Sequence, residues 1–478
     1  MAEISQKKSL TEGFGDVLRS SAIFYVRQSE KMSTTISFMN YWKAKRGIDV
    51  AVVATTRAMD GSLIGRNRLR FSEGEVINFQ PVLGDVDEGS VEIEIISTEN
   101  LVFPYPALMA LYETPTSISM VHSYARAYSR HEVEESKTVT RGEESNWTLR
   151  DSGSVRSFCV FHNGASEQPE QQIHLTVRSM DGRRRDVDID ISALGPYGSF
   201  KLVPADHIPD IATFLDGSPG QATLSFHLRE SFTRMLVGNE TVNAGDFQVT
   251  HSDFNFNVHK TDRVSQSGVA GFLRVPELRN MERWVVVYPE QDPGQYRVTD
   301  GRDEHDFTSG EPVQIPAENG HEMFVFTKTD SALPTRINTG IGCVASPDLL
   351  PSEPSLGVMH SAVPAKRMTW GPCAVSDNLD TDIVVHAYED LFGAARAGAE
   401  LCFRLYSASR HGYVEQTMTC ANLDAFDAGI RLEDVFPDAR EYLDGETGYF
   451  TLYSEYGGLK AYVVMKKTGG SATLEHCF

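Results

Sequence analysis

Apolar and β-branched residues alternate with polar ones in short runs along most of this chain. Three clear runs, each bordered by turn residues, are 48–56 (IDVAVVATT), 173–177 (IHLTV) and 185–191 (RDVDIDI). A two-residue period is typical of β-strands that bury one face, whereas an amphipathic helix repeats every 3.6 residues. Helical periodicity is nearly absent, so the pattern predicts an all-β protein. The run 185–191 also predicts a solvated sheet face carrying Asp186, Asp188 and Asp190.

An Arg-x-x-Asp-Gly motif recurs three times between such runs. Asp-Gly between two alternating runs is a strong hairpin signal, because glycine tolerates the positive φ that tight turns need. We therefore interpret Asp and Gly as turn residues and the Arg as a side chain that packs across the hairpin or pairs with a neighbouring strand. The fourth unit departs from the motif at 417–421 (TMTCA). The motif residues are Arg57, Asp60, Gly61, Arg178, Asp181, Gly182, Arg297, Asp300 and Gly301.

A His-Ser or His-Cys dipeptide closes each of four segments of similar length. Histidine suits catalysis, metal binding or a pH switch, but a metal site needs three or four converging ligands. Because these histidines are expected in separate units, we favour a structural latch at the end of each last strand. A contact between units, catalysis and metal binding are the alternatives, and no metal site is predicted. The four residues are His122, His251, His360 and His476.

A second repeat links the second and fourth units. Each has an Asp before a Pro-led turn, then an aromatic-Leu pair and an Asp-Gly-x-x-Gly loop. The pattern predicts one capped helical turn that stops at glycine. Because EF-hand spacing does not accompany these loops, we interpret them as turns and not as calcium ligands. The loop residues are Asp216, Gly217, Gly220, Asp444, Gly445 and Gly448.

These repeats predict a tandem array of about four antiparallel β-sandwich domains, Ig-like or jelly-roll-like, with few short helical turns. A chain of 478 residues is also too long for a single core. We expect the third unit to be the most divergent. The predicted segments are a polar N-terminal tail at 1–21, units at 22–128, 146–258, 268–364 and 381–478, and a charged linker at 129–145.

Composition narrows the functional classes. With 44 Lys and Arg against 66 Asp and Glu, the net charge of −22 disfavours nucleic-acid partners. No run approaches the ~20 apolar residues of a membrane helix, so no membrane insertion is expected. No secretory leader is recognised, so the expected location is cytoplasmic, with leaderless export as the alternative. Cys402 and Cys420 flank one hairpin, and two reduced thiols are favoured over a disulfide.

Catalytic motifs of the common nucleotide-binding, metalloprotease and serine-hydrolase types are missing from the sequence. We therefore assign no catalytic residue and no cofactor. The sequence favours a non-enzymatic binding or assembly protein that recognises protein or glycan partners through loops and sheet edges, with self-association as one mode. The alternatives are a carbohydrate-binding protein using exposed aromatic residues, and a glycan- or ester-acting hydrolase with a site between two units.

Overall fold

Antiparallel β-sheets form nearly all the regular structure of this protein. The computed structural model describes residues 18–71, 74–99, 101, 108–128, 140–242, 245–254, 270–290, 292–318, 322–334, 337–360, 367–393, 398–419, 421 and 423–478. Within these residues the strands form eight sheets, two for each of four consecutive units. Each unit contributes eight strands to its own pair of sheets, labelled A to H here in chain order.

The first two units carry three additional short strands. Strands A to H of unit 1 are β1 (Leu18–Arg27), β2 (Ser33–Met39), β3 (Ala51–Ala58), β4 (Leu63–Leu69), β5 (Val76–Phe79), β6 (Glu88–Ser97), β7 (Met109–Glu113) and β8 (Ile118–His122). Those of unit 2 are β10 (Thr140–Leu149), β11 (Val155–His162), β12 (Gln171–Ser179), β13 (Arg184–Ile191), β14 (Ser199–Leu202), β15 (Gly220–Arg229), β17 (Leu236–Thr241) and β18 (Phe247–His251). The additional strands are β9 (Ala125–Ala127), β16 (Ser231–Thr233) and β19 (Asp253–Phe254).

The last two units contain only strands A to H among their described residues. Those of unit 3 are β20 (Gly271–Arg274), β21 (Glu282–Val287), β22 (Gln295–Thr299), β23 (Glu304–Thr308), β24 (Val313–Pro316), β25 (Met323–Lys328), β26 (Thr339–Val344) and β27 (Ser355–Leu356). Those of unit 4 are β28 (Met368–Cys373), β29 (Leu379–Ala387), β30 (Glu400–Tyr406), β31 (Val414–Thr419), β32 (Ile430–Arg431), β33 (Gly448–Tyr453), β34 (Leu459–Lys467) and β35 (Ala472–His476).

Short helices connect some strands. They are α1 (Tyr41–Arg46), α2 (Pro204–His207), α3 (Ile211–Leu215), α4 (Glu389–Phe392), α5 (Leu423–Asp427), α6 (Leu432–Val435) and α7 (Ala439–Leu443). In the described part of the chain, no helix has the length and apolar character that crossing a bilayer requires.

All four units share one strand order. Strands A-F-C-D form one sheet and strands E-B-G-H form the other, in every unit including the divergent third. In unit 1 the A-F-C-D sheet is extended by β9 and then by β16 of unit 2, so a single sheet spans both units. This confirms the predicted fold class of tandem antiparallel β-sandwiches with few helical turns.

The Arg-x-x-Asp-Gly motifs lie at equivalent places, in the turns between strands C and D of units 1 to 3. Gly61, Gly182 and Gly301 all have φ of +88°. In each turn the Asp carboxylate accepts the backbone N–H two residues on, at 2.8, 3.3 and 2.9 Å in chain order. In units 1 to 3 the Asp and Gly of the motif thus lie in a turn between two paired antiparallel strands. In unit 4 this turn is the longer segment 407–413, and residues 417–419 lie in β31.

The repeated loops of units 2 and 4 also match each other closely. Where the sequence predicted one capped turn, each unit has two short helices, and the second ends at an Asp in the left-handed region. Asp216 has φ of +51° and Asp444 has φ of +50°. Gly220 and Gly448 are needed for a different reason, because a Cβ there would lie 2.4 and 2.3 Å from Cδ2 of a neighbouring leucine.

The strands extend into three segments that the sequence analysis placed outside the units. The first unit's sheet begins at Leu18. Residues 129–139 of the predicted linker lie outside the described residues, but residues 140–145 belong to β10. Strand β28 occupies Met368–Cys373, between the predicted third and fourth units. Pro372 fits there because β28 is an edge strand, where a missing N–H costs no ladder hydrogen bond.

The units pack into a closed four-unit ring, in the order 1-2-3-4-1, because the E-B-G-H sheets are apolar on both faces. Phe247 and Val249 of unit 2 join the core of unit 1. Val464 and Leu474 of unit 4 join the core of unit 3. Residues of unit 1 also join the core of unit 4, where Tyr41 stacks on Trp370 with ring centroids 4.3 Å apart.

Polar contacts complete the interface between units 2 and 3. Arg150 forms a two-pronged ion pair with Glu353 at 2.8 and 3.2 Å, and Trp284 Nε1 donates to the same carboxylate at 3.0 Å. The backbone N–H of Leu350 donates to Asp246 Oδ2 at 2.8 Å. Each unit therefore contacts two neighbours.

The H strands meet at the centre of the ring. The side-chain amide of Gln248, in unit 2, donates to Ile118 O of unit 1 at 3.0 Å and to Ser471 Oγ of unit 4 at 2.9 Å. The backbone N–H of Leu474 donates to Ser352 Oγ of unit 3 at 2.9 Å. Buried polar groups are satisfied only because the neighbouring units are present.

The turn glycines provide a matched test of ring packing. Gly61 faces unit 2, where a Cβ would lie 2.2 Å from Pro196 O, whereas a Cβ on Gly182 would have no atom within 4 Å. Both substitutions to Ala should cost about 1–2 kcal/mol of folding stability, because a Cβ is unfavourable at a positive φ. Gly61→Ala should lose about 1–3 kcal/mol more because of the clash with unit 2. Equal losses in urea denaturation would contradict the contact between these units.

Candidate functional site

Three of the four repeated histidines converge at the centre of the four-unit ring. His122, His251 and His476 are the last residues of β8, β18 and β35, the H strands of units 1, 2 and 4. The His122 imidazole lies between the other two, with centroid distances of 4.5 Å to His251 and 4.8 Å to His476. The three imidazoles and the neighbouring residues Glu475, Arg234 and Phe478 are called the histidine cluster below.

Strand register directs these histidines toward the centre. Each pairs with a residue of strand G that packs against a neighbouring unit: His122 with Met109, and His476 with Tyr462. Side chains on paired positions share one face of a sheet. The histidines therefore point away from the cores of their own sandwiches and toward the junction between units.

His360 occupies a different position. In unit 4 the residue two places after His476, Phe478, bridges Trp370 of strand A through two backbone hydrogen bonds of 2.9 and 3.0 Å. In unit 3 the corresponding bridge joins Met359 to Phe272, so the position equivalent to His476 is Gly357. His360 is buried, but it lies four residues beyond the end of β27. The structure thus brings three of the four predicted histidines together.

Glu475 lies between the imidazoles of units 1 and 4 and is 1% exposed. Its Oε1 accepts the Nδ1–H of His476 at 2.7 Å and the backbone N–H of the same residue at 2.9 Å. Its Oε2 lies 3.3 Å from Nδ1 of His122. Although burial acts to raise it, the pKa of Glu475 lies well below its usual range, because the two imidazoles stabilise the carboxylate.

His251 uses both of its nitrogens. Nδ1 lies 2.9 Å from the carbonyl oxygen of Ser252, and Nε2 lies 3.1 Å from Nη1 of Arg234. Nδ1 therefore donates and Nε2 accepts, which describes a neutral imidazole. Burial, and then the charge of Arg234, hold the pKa of His251 well below 6.5.

His476 is also neutral at pH 7. Loss of hydration lowers the pKa of His476 to about 4, even though Glu475 opposes this shift. Phe478 covers the site, with its centroid 5.1 Å from both the His122 and the His476 imidazoles. The cluster is thus a covered junction of three imidazoles around one ionised carboxylate.

Glu475, Arg234 and Phe478 were not predicted from the sequence. One signal was present: of the four residues that precede the repeated histidines, only Glu475 is acidic, the others being Val121, Thr250 and Met359. Arg234 could not be found in this way, because it reaches His251 from the two-residue connection between β16 and β17.

The arginines of the repeated motif behave differently from unit to unit. Arg57 binds Glu92 at 3.0 Å and stacks 4.0 Å over Tyr197 of unit 2. Arg178 reaches Glu290 of unit 3 at 2.5 Å. Arg297 pairs with Asp306 across its own exposed hairpin at 2.7 Å. Arg57 thus pairs with the neighbouring strand β6 and Arg297 pairs across its own hairpin, while Arg57 and Arg178 also contact the next unit in the ring.

The remaining candidates are dispersed. Asp216, Gly217, Asp444 and Gly445 lie exposed on the two loops. For the predicted pair of reduced thiols, Cys420 lies outside the described residues, and Cys402 is a free, half-buried thiol. All four tryptophans are buried, and the only exposed large aromatic residues in the described part of the chain are Tyr413 and Tyr453.

Two cavities lie between or beside loops. One of about 400 Å³, between units 1 and 2, has both signs of charge, with Arg27 and Glu240 paired across it at 3.2 Å. Another of about 620 Å³ lies between residues 277–282 and 344–347 of unit 3. Neither gathers converging carboxylates or histidines of the kind that hydrolysis needs.

Comparisons with known proteins add little. No protein-family model matches the chain, and no curated protein matches it. Among solved structures, a tetra-tandem repeat in the extending region of a large adhesion protein aligns over 96% of this chain and 98% of its own length. Its sequence identity is 8% and its TM-score is 0.10. Such a likeness carries no inference about this chain.

The histidine cluster predicts acid sensitivity. Because the folded pKa of His251 is below the unfolded value near 6.5, the unfolded chain binds more protons as pH falls through 6.5. The histidine therefore costs stability on acidification. Acidification from pH 7 to pH 5 should therefore lower the unfolding free energy of wild type more than that of His251→Gln, by about 1–2 kcal/mol. Urea denaturation with a chelator present measures this difference.

His174 supplies a control of opposite sign. It is exposed, and hydrogen bonding to Asp188 raises its pKa. This group stabilises the folded chain below its unfolded pKa and loses that contribution as pH rises through its folded pKa. His174→Gln should not reduce the acid loss. If His251→Gln and wild type lose equal stability, the neutral assignment of His251 is wrong.

Proposed function

We propose that this protein is a non-enzymatic assembly protein that associates with further copies of itself through the D-strand edges of its A-F-C-D sheets. The observation that supports this most directly is charge complementarity between two exposed edge strands. Strand β4 of unit 1 is basic on its outer face, and strand β13 of unit 2 is acidic on its outer face.

Strand β4 ends its sheet and is exposed along most of its length. Arg66 and Arg68 pair with Thr55 and Val53 of β3 and lie on the outer face. The edge also carries Leu63, which is 65% exposed. A free edge with an exposed apolar residue is a template for strand addition unless charge prevents it.

Strand β13 ends the corresponding sheet of unit 2. Asp186, Asp188 and Asp190 are exposed on its outer face, while Ile189 and Ile191 are buried on the other. The outer face of β13 is thus acidic, and its inner face is apolar. Asp186 is paired with Arg184 of the same strand at 2.8 Å, and His174 binds Asp188. Asp188 and Asp190 have no Lys or Arg partner in the described residues, so these two carboxylates are the ones offered to a cationic partner.

The spacings of the two edges agree. Alternate residues of a strand lie about 7 Å apart, so arginines and aspartates at every second position face each other across a ladder between copies. Directly opposed charges of opposite sign stabilise such a pair, and the backbone ladder supplies the affinity. Because the two surfaces differ, repeated addition forms a larger ring or an open filament.

The other two D-strand edges are less suitable. On β23 Asp306 is paired with Arg297 of its own sheet, and on β31 Glu415 is paired with Arg404 at 2.8 Å. On β4 and β13 only part of the charge is paired in this way, Arg66 with Glu94 at 3.3 Å and Asp186 with Arg184 at 2.8 Å. Arg68, Asp188 and Asp190 have no Lys, Arg, Asp or Glu partner of opposite charge in the described residues. Burial of all four tryptophans likewise gives no flat aromatic surface for sugar stacking among the described residues, so a protein partner is favoured over a glycan.

Charge exchange tests this function. Wild type should form concentration-dependent oligomers at low salt, in sedimentation velocity, and these should dissociate as ionic strength rises. The double variant Arg66→Asp, Arg68→Asp should be monomeric because like charges would then oppose each other. Adding Asp188→Arg and Asp190→Arg to that chain should restore oligomers, since the complementarity is regained with opposite signs.

Arg302→Asp, on the exposed C–D turn of unit 3, is the matched control and should assemble as wild type does. A wild-type chain that stays monomeric at low salt and high concentration contradicts the proposal. So does a quadruple variant that remains monomeric while the control assembles, because edge pairing by charge would then not be the cause.

A further inference from the structure

The histidine cluster contains a set of metal-ligand atoms from opposite ends of the chain. His122 and His476 each offer an imidazole nitrogen and Glu475 offers a carboxylate oxygen, and these atoms lie within 4.8 Å of one another. No other group of three or more such side chains occurs in the described part of the chain. The register of β8 and β35 sets this arrangement, as described above.

One ligand atom has no hydrogen-bond partner. Nδ1 of His122 is buried, and its contact of 3.3 Å with Glu475 lacks hydrogen-bond geometry. The whole residue is 5% exposed, so water does not replace the missing partner at the surface. A buried polar atom without a partner costs stability, and such atoms often mark a site for an absent ion.

Glu475 is buried, and no Lys or Arg of the described residues pairs with it. Its ionic partners there are the two imidazoles. Burying a carboxylate without a compensating positive charge is costly. His251 does not supply a ligand, since both of its nitrogens are engaged by Arg234 and Ser252.

We infer that His122, Glu475 and His476 form a zinc site that joins the first unit to the last. Two imidazoles and one carboxylate are a donor set that suits Zn²⁺, whereas Ca²⁺ and Mg²⁺ prefer oxygen ligands alone. Zn²⁺ would compensate the charge of Glu475 and would be coordinated by Nδ1 or Nε2 of His122. Because the ligands come from β8 and β35, the ion closes the four-unit ring.

Direct binding is the first measurement. Untagged full-length protein, stripped with chelator, should bind one Zn²⁺ per chain in calorimetry at pH 7.5 and should not bind Ca²⁺ at the same concentration. Bound ion stabilises only the folded state, so the Tm should rise by at least about 2 °C at saturating Zn²⁺. X-ray absorption of the zinc complex should show nitrogen and oxygen ligands with imidazole scattering.

Variants then locate the site. Glu475→Gln keeps the shape of the side chain and removes its charge, and His122→Gln removes one imidazole. Each should weaken Zn²⁺ binding by at least about 100-fold, more than the loss of an outer-sphere partner. The control His360→Gln removes a buried histidine of the same repeated dipeptide outside the cluster and should bind as wild type does.

Three results would overturn the inference: wild type without stoichiometric Zn²⁺, sulfur ligands in its absorption spectrum, or unchanged affinity in Glu475→Gln and His122→Gln. If a cluster variant does not fold, the wild-type stoichiometry and absorption spectrum still decide the question, since neither depends on the variants. If the zinc inference is overturned, a proton shared by His122 and Glu475 accounts for the buried carboxylate instead.

Discussion

The whole architecture depends on one constraint: the E-B-G-H sheets are apolar on both faces. A single sandwich buries the inner face of such a sheet and leaves the other in water. In unit 3, Val285 and Val287 fill the sandwich core, while Trp284 and Val286 on the same strand form a second cluster facing unit 2. The outer face must be covered, and the neighbouring units cover it. Four units that each need two neighbours satisfy this requirement by closing into a ring.

Closure places the two kinds of sheet in different environments. The E-B-G-H sheets face inward, so the H strands meet at the centre and their polar side chains find partners on other units, as Gln248 does on Ser471. The D strands of the A-F-C-D sheets remain at exposed edges, where sequence is free to vary. Charge on β4 and β13 and internal ion pairing on β23 and β31 are different outcomes of that freedom. In the proposed function, copies associate through the outside of the ring, while contacts at its centre hold the four units together.

Local rules explain how much could be predicted from sequence. Alternation predicted the strands, Asp-Gly predicted the C–D hairpins, and the repeated loops predicted the kinship of units 2 and 4, because each depends on a few adjacent residues. Ring closure depends on which surfaces meet, and no local pattern contains that. The double-sided apolar runs, such as 285–287, do signal burial of both faces. His360 shows the limit of motif reasoning, since the same dipeptide lies at another position where strand β27 has only two residues.

Repetition and divergence together produce the histidine cluster. Four copies of one sandwich bring four equivalent H-strand ends to a common centre, and identical residues there would give four like groups with no opposite charge. Only unit 4 has an acid before its histidine, and unit 3 places Gly357 where the others place an imidazole. Gly357 leaves unit 3 without a side chain at this position, although a Cβ there would have no atom within 4 Å. Glu475 supplies the negative charge around which the imidazoles of units 1 and 4 are arranged. The chemical character of the centre thus comes from the positions at which the four units differ in sequence.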